Sequence, residues 1–132
     1  MKTLAGRFDH TEGEILFNGI VIEPKLFTSQ KSVAFVAQTD TLDPTSTVYE
    51  SIVFSAKLRL GFGLNRSEEH EEQWLEESVK EVINDVHLDK CQHTQARFLS
   101  GGERRRLSMA IELIANPSIM ILDEVSVVLV CS

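Results

Sequence analysis

Apolar positions fall into short runs near the start of the chain and into helical spacing through its middle. Glu14-Ile15-Leu16-Phe17 and Ile20-Val21-Ile22-Glu23 are two β-rich runs around Asn18-Gly19, a pair suited to a two-residue turn with positive φ. A hairpin is predicted there. Ser32-Val33-Ala34-Phe35-Val36-Ala37 is nearly continuous and apolar and ends at polar Gln38, as in a buried strand that delivers a side chain at its end. Beyond a polar loop through Asp43-Pro44, Thr47 and Glu50 form a Thr-x-x-Glu capping box. Val48, Ile52 and Ala56 then recur with helical spacing to about Leu60.

After a connector at 61–67, the acidic opening Glu68-Glu69-His70-Glu71-Glu72 leads a second helix whose apolar face is Leu75, Val79, Val82, Ile83 and Val86. A third helix is predicted from Ser100 to about Ala115, with Leu107, Ile111 and Ile114 on one face and Asn116-Pro117 ending it. Ser118-Ile119-Met120-Ile121-Leu122 is apolar throughout, as in a strand covered on both faces, and closes on the acids Asp123 and Glu124. No internal repeat or low-complexity segment interrupts this order.

A length of 132 residues allows one modest domain or part of one. The formal charge of −7 argues against nucleic acid as a partner, because phosphate backbones are held by clustered Lys and Arg. Arg104, Arg105 and Arg106 do not change this, since a helix spreads three consecutive residues over different faces; they are read as solvated or ion-paired. No apolar run approaches the ~20 residues of a membrane-spanning helix. The opening Met1-Lys2-Thr3-Leu4-Ala5-Gly6-Arg7 lacks secretory features, so a cytosolic location is expected. Cys91 and Cys131 lack metal-site spacing and are read as structural thiols. His10, His70, His87 and His93 are read as surface residues, and Trp74 as a packing residue.

Two segments carry candidate chemistry. Leu99-Ser100-Gly101-Gly102-Glu103 opens a helix with adjacent glycines, which let backbone N–H groups approach an anion where the helix dipole favours negative charge. The same letters also fit a plain Ser-x-x-Glu capping box with the glycines as a tight turn. Some twenty residues on, a carboxylate at the exit of a buried strand, Asp123, can hold Mg²⁺ while its neighbour Glu124 polarises water. Taken alone, that pair also fits a strand that merely ends in polar residues.

Together these segments resemble the ATP-binding domain of ABC transporters, with Leu99 to Glu103 matching the signature motif, Met120 to Glu124 the Walker B motif and Gln38 the Q-loop. Val36-Ala37-Gln38-Thr39-Asp40 running into Thr45-Ser46-Thr47-Val48-Tyr49-Glu50, and Gly102-Glu103-Arg104-Arg105-Arg106-Leu107-Ser108, resemble the G subfamily, the White and pleiotropic-drug-resistance type. The resemblance covers 1–124 and implies an α/β fold: an incomplete P-loop NTPase with an antiparallel hairpin, a helical signature subdomain and a Walker B strand. It further implies ATP and Mg²⁺ as ligands, with Gln38 touching Mg²⁺ and water and Asp123 supporting the metal. Glu124 would be the general base, and Ser100, Gly101 and Gly102 would bind the γ-phosphate of a nucleotide seated on a second ATP-binding domain, head to tail. A transmembrane domain is the other implied partner, at the cytoplasmic face of a membrane.

The chain departs from that family at both ends. No Gly-x-x-x-x-Gly-Lys-Ser/Thr segment occurs, and Met1 to Arg7 resembles the stretch just after such a loop. After Glu124 the family's D-loop and later H-loop are replaced by Val125-Ser126-Val127-Val128-Leu129-Val130-Cys131-Ser132, expected to be a tail outside the family's pattern. The expectation is a domain truncated at both ends and inactive alone, with apolar sheet edges left open beside the Walker B strand. The alternative is a non-catalytic interaction protein that lends its signature face to a partner ATPase, or blocks it.

Overall fold

The computed structural model describes residues 15–17, 19–22, 33–36, 42–60, 68–122 and 128–130. The chain divides into two compact units, one formed by 1–38 with 116–132 and the other by 39–115.

The first unit holds the strands. β1 (Ile15–Phe17) and β2 (Ile20–Ile22) pair antiparallel with Leu16 opposite Val21, and Gly19 takes φ 80°, the left-handed conformation that the tight turn requires. β3 (Val33–Val36) and β4 (Ile119–Leu122) pair in parallel, Val33 with Ile119 through Val36 with Leu122. All of 39–115 lies in the connection between them, as a parallel pair demands a long crossover. Ala34, Phe35, Val36, Met120, Ile121 and Leu122 are buried, which explains why these runs do not alternate with polar residues.

One expectation fails here. β4 was expected to have lost strands on either side, with apolar edges left open, yet β3 pairs with it on one side and β5 (Val128–Val130) on the other, antiparallel with Ile119 opposite Val130. The sheet order is β3-β4-β5, with β4 in the centre. Val128-Leu129-Val130 suits a strand, and its backbone pairs with an edge of β4 that would otherwise be left to aggregation.

The second unit holds the helices α1 (Val48–Leu60), α2 (Glu68–Asp85) and α3 (Gly101–Leu113), close to their predicted bounds. Val48, Ile52, Ala56, Val79, Leu88, Leu107 and Ala110 are fully enclosed in one core with Leu75, Ile83, Val86, Ala96, Leu99 and Ile114. Polar ties supplement this packing between α1 and the last turn of α3. Ser55 Oγ donates to the Ile111 carbonyl at 3.0 Å, and Arg59 forks onto both carboxylate oxygens of Glu112, with Nη1 to Oε2 at 2.8 Å. Bidentate Arg–carboxylate pairs fix geometry as well as charge.

α2 ends by a route the sequence reading missed. His87 takes φ 56°, and its N–H and that of Leu88 close back on Asn84 and Ile83 carbonyls, each at 3.0 Å. This is the left-handed closure usually given to Gly. His87 and His93 are exposed, as expected of surface histidines. Trp74 is 47 % exposed, while its neighbour Leu75 is buried in the core. No helix among the described residues is long and apolar enough to cross a membrane.

Candidate functional site

Helix α3 starts on Ser100, whose extended backbone (φ −63°, ψ 162°) places the side chain over the first turn. Ser100 Oγ accepts from the Glu103 N–H at 3.3 Å. In return the Ser100 N–H and hydroxyl both donate to Glu103 Oε2, each at 2.7 Å. These contacts hold the Glu103 carboxyl below its ordinary range; the Ser100 hydroxyl contributes most, then the Ser100 N–H, with the positive charge of Arg106 acting in the same direction. The capping box anticipated as the plainer reading is therefore present.

It does not account for the glycines. Neither Gly101 nor Gly102 has positive φ. A Cβ built on Gly101 would meet nothing within 4 Å, and one on Gly102 would meet only Nη1 of Arg106, at an ordinary 3.7 Å. Alanine would fit at both positions, and Gly in a helix costs up to about 1 kcal/mol relative to Ala. Internal sterics thus give no reason for Gly-Gly. Both residues are exposed, and among the described residues nothing accepts a hydrogen bond from either N–H. Two bare amides at the positive end of a 13-residue helix, with open space before them, form a surface that an anion can approach closely.

The approach to this turn is held rigidly. Residues 92–97 are stitched to the start of α1 by main-chain bonds: Val48 N–H to Thr94 O (3.2 Å), Tyr49 N–H to Gln92 O (2.9 Å), Ala96 N–H to Ser46 O (2.9 Å) and Arg97 N–H to Pro44 O (3.2 Å). Asp43 braces the same corner. It accepts from the Thr45 N–H and from the Thr45 and Ser46 hydroxyls at 2.7–3.0 Å, which lowers its pKa. Buried Ala96 and Leu99 anchor the single 3₁₀ turn at Ala96–Phe98 that leads into Ser100, while Phe98 between them is 69 % exposed under the Arg97 guanidinium, 4.6 Å from its ring centroid.

Of the predicted site residues, Ser100, Gly101 and Gly102 are brought together at one helix start. Gln38, Asp123 and Glu124 lie outside the described residues, so the structure places none of these three. The strands that precede them end side by side, with Val36 opposite Leu122 in the parallel pair. Arg106 was read as solvated or ion-paired; its charge does act on Glu103, but the residue is partly buried. Its Nε is buried without a hydrogen-bond partner and its Nη1 lies over Gly102, whereas Arg104 is exposed. A buried unsatisfied donor costs about 1–3 kcal/mol. The signal available in the sequence was spacing, since Arg106 is four residues from Gly102 and so shares its helix face. Cys91 is a free thiol whose pKa burial pushes upward, in keeping with a structural role. No cluster of three or more metal-ligating side chains occurs among the described residues.

Comparison with known proteins gives these features a setting. The sequence profile of the ABC transporter family matches residues 1–127. Among similar proteins, ABC transporter G family member 25 of Arabidopsis thaliana is 39% identical over 131 residues, and ATP-binding cassette sub-family G member 8 of Rattus norvegicus is 38% identical over 133. Each match takes in 94% of this chain and 18% of the relative, so the chain spans less than a fifth of those proteins. Among solved structures, cbiO1 of Clostridium perfringens, described as part of the ABC transporter complex cbiONQ, superposes with a TM-score of 0.74 at 22% identity. That alignment covers 93% of this chain and 47% of cbiO1, and it shows the α/β fold of an ABC ATPase. A capped helix opening on Leu-Ser-Gly-Gly-Glu, a parallel pair ending before Asp-Glu, and a family match over nearly the whole length agree: the chain belongs to the ABC transporter family, in its G branch.

Proposed function

We propose that this chain is part of a nucleotide-binding domain that couples ATP binding and hydrolysis to transport across a membrane, on whose cytoplasmic face it would sit. The observation that carries the reading is the open start of α3: exposed Gly101 and Gly102, their N–H groups without acceptors among the described residues, in a turn where alanine would fit. Ser100, Gly101 and Gly102 contact the γ-phosphate of ATP held by a second ATP-binding domain packed head to tail. Gln38 and Asp123, which follow the carboxyl ends of β3 and β4 in the chain, serve Mg²⁺. Ligands of open parallel sheets bind beyond that end of the strands, which supports this assignment. The ion supplies charge neutralisation on the phosphates, and Glu124 orients the attacking water and takes its proton.

No phosphate-wrapping Gly-x-x-x-x-Gly-Lys-Ser/Thr segment occurs in residues 1–132, so this chain alone is predicted to hydrolyse no ATP. ATP turnover by the purified chain that disappears in Glu124→Gln would overturn that. The signature assignment is tested by adding the chain to the ATP-loaded ATP-binding domain of an intact G-branch transporter and measuring association. Ser100→Arg, which fills the phosphate contact with bulk, should abolish it; association unchanged by Ser100→Arg rules the assignment out. Association that slows rather than supports the transporter's turnover would instead favour a blocking, non-catalytic role.

A further inference from the structure

Resting on the reading of the α3 start as a phosphate contact, a second feature of the turn becomes a problem for the ligand. The Ser100 N–H and hydroxyl each carry one hydrogen, and both are already given to Glu103 Oε2. A phosphate that needs either donor must displace a carboxylate, and that carboxylate repels the arriving anion. Arg106, one turn on at i+3, offers the displaced group a place to go. Helical residues three apart are neighbours, the guanidinium already lies over Gly102, and its Nε is sealed from water without an acceptor.

We propose that Glu103 is a built-in competitor for the signature turn, held on Ser100 in the resting state and transferred to Arg106 when a phosphate engages the Ser100 donors. The other capping box of the chain lacks this provision. Glu50 grips Thr47 through the same three hydrogen bonds, but the charged neighbour it senses is Asp43, which repels it. That box closes a helix start already sealed by protein carbonyls and has nothing to exchange with. At α3 the exchange needs only side-chain rotation of Glu103; the Ser100 backbone and the bare amides of Gly101 and Gly102 stay in place. Arg106 is a positioning residue, acting on the phosphate through Glu103.

The test is a titration of the isotopically labelled chain with inorganic phosphate at constant ionic strength, read by NMR at the Ser100 amide, the Glu103 carboxyl carbon and Arg106 Nε. All three signals should move along one binding curve. Glu103→Gln keeps an acceptor for the cap but removes the charge, and should tighten phosphate by roughly tenfold, between the limits set by aqueous and protein-surface dielectric at a separation of one helical turn. Arg106→Gln should weaken phosphate by about threefold in the wild-type background and much less beside Glu103→Gln, because linked residues are not additive. A Ser100 amide that responds while the Glu103 carboxyl stays still overturns the exchange and leaves the phosphate contact standing. A Ser100 amide that never responds overturns both. Equal effects of Arg106→Gln in the two backgrounds would reduce Arg106 to a general positive field and overturn its role as acceptor.

Discussion

Helices α1 and α3 begin on the same four-residue device, yet their first turns face different surroundings. Thr47 with Glu50 and Ser100 with Glu103 make matching sets of three hydrogen bonds. In α1 the next two residues are Val48, fully buried, and Tyr49, and their N–H groups are taken by Thr94 and Gln92 carbonyls. In α3 they are Gly101 and Gly102, exposed and without acceptors among the described residues. The cap serves both helices equally and so says nothing about function. What separates the start of α1 from the start of α3, proposed to bind phosphate, is whether the protein itself consumes the orphan amides that every helix leaves at its first turn.

Substitutions can press on this contrast in order of size. Leu107 and Ile52 lie in the core common to both helices, so Leu107→Ala and Ile52→Ala should each cost about 2–5 kcal/mol in urea denaturation, whichever start they sit beneath. The starts themselves should respond with opposite sign. Val48→Gly removes a wholly buried side chain and adds backbone entropy, for a loss of about 2–3 kcal/mol. Gly101→Ala enters open space and should stabilise by up to about 1 kcal/mol while weakening phosphate engagement. Destabilisation by Gly101→Ala would mean that the glycine serves the fold, and the contrast would collapse. Between these lie the caps: Thr47→Ala and Ser100→Ala should each cost about 1 kcal/mol.

Sequence made the helical unit legible because each of its helices carries local signals that agree with its packing. The Thr-x-x-Glu and Ser-x-x-Glu boxes mark two starts, and the apolar spacing at Val48, Ile52, Ala56 and at Leu75, Val79, Ile83 names the buried faces. The parallel pairing of β3 with β4 suited two continuous apolar runs, and Asn18-Gly19 gave the hairpin turn. What escaped was non-local or needed a side chain's final position. β5 joins the sheet because β4 has an open edge to fill, which a reading of residues 125–132 alone could not reveal. His87 closes α2 in a conformation whose preferred residue is Gly, so its sequence carries no stop signal there. Arg106 looked like one of three equivalent cations, and only its fold-back over Gly102 separates it from Arg104. The helix start at Ser100, Gly101 and Gly102 was legible through spacing and motif. That the turn is open as well as capped required seeing that nothing among the described residues accepts from its Gly101 and Gly102 N–H groups.

Acid provides the smallest and most selective probe of the two starts. Hydrogen bonds from Thr47, first its N–H and then its hydroxyl, hold the Glu50 carboxyl below its ordinary value of 4.5, and Ser100 does the same for Glu103. A carboxylate whose pKa is lower folded than unfolded stabilises the fold fully above the ordinary value, and that contribution is lost as pH falls through the depressed one. Both boxes should therefore hold at neutral pH and open in acid. They should not open together. Asp43 opposes the charge on Glu50, whereas Arg106 favours the charge on Glu103, so the Thr47 amide should lose its hydrogen-bonded NMR shift at a higher pH than the Ser100 amide. Glu50 is exposed and Glu103 only partly buried, so salt should narrow the gap by screening Asp43 and Arg106 alike. Arg106→Gln should narrow it from one side only, by bringing the Ser100 transition up toward that of Thr47. If Ser100 opened first, or if Arg106→Gln left its transition in place, Arg106 would have no electrostatic hold on Glu103 and the two helix starts would differ in their glycines alone.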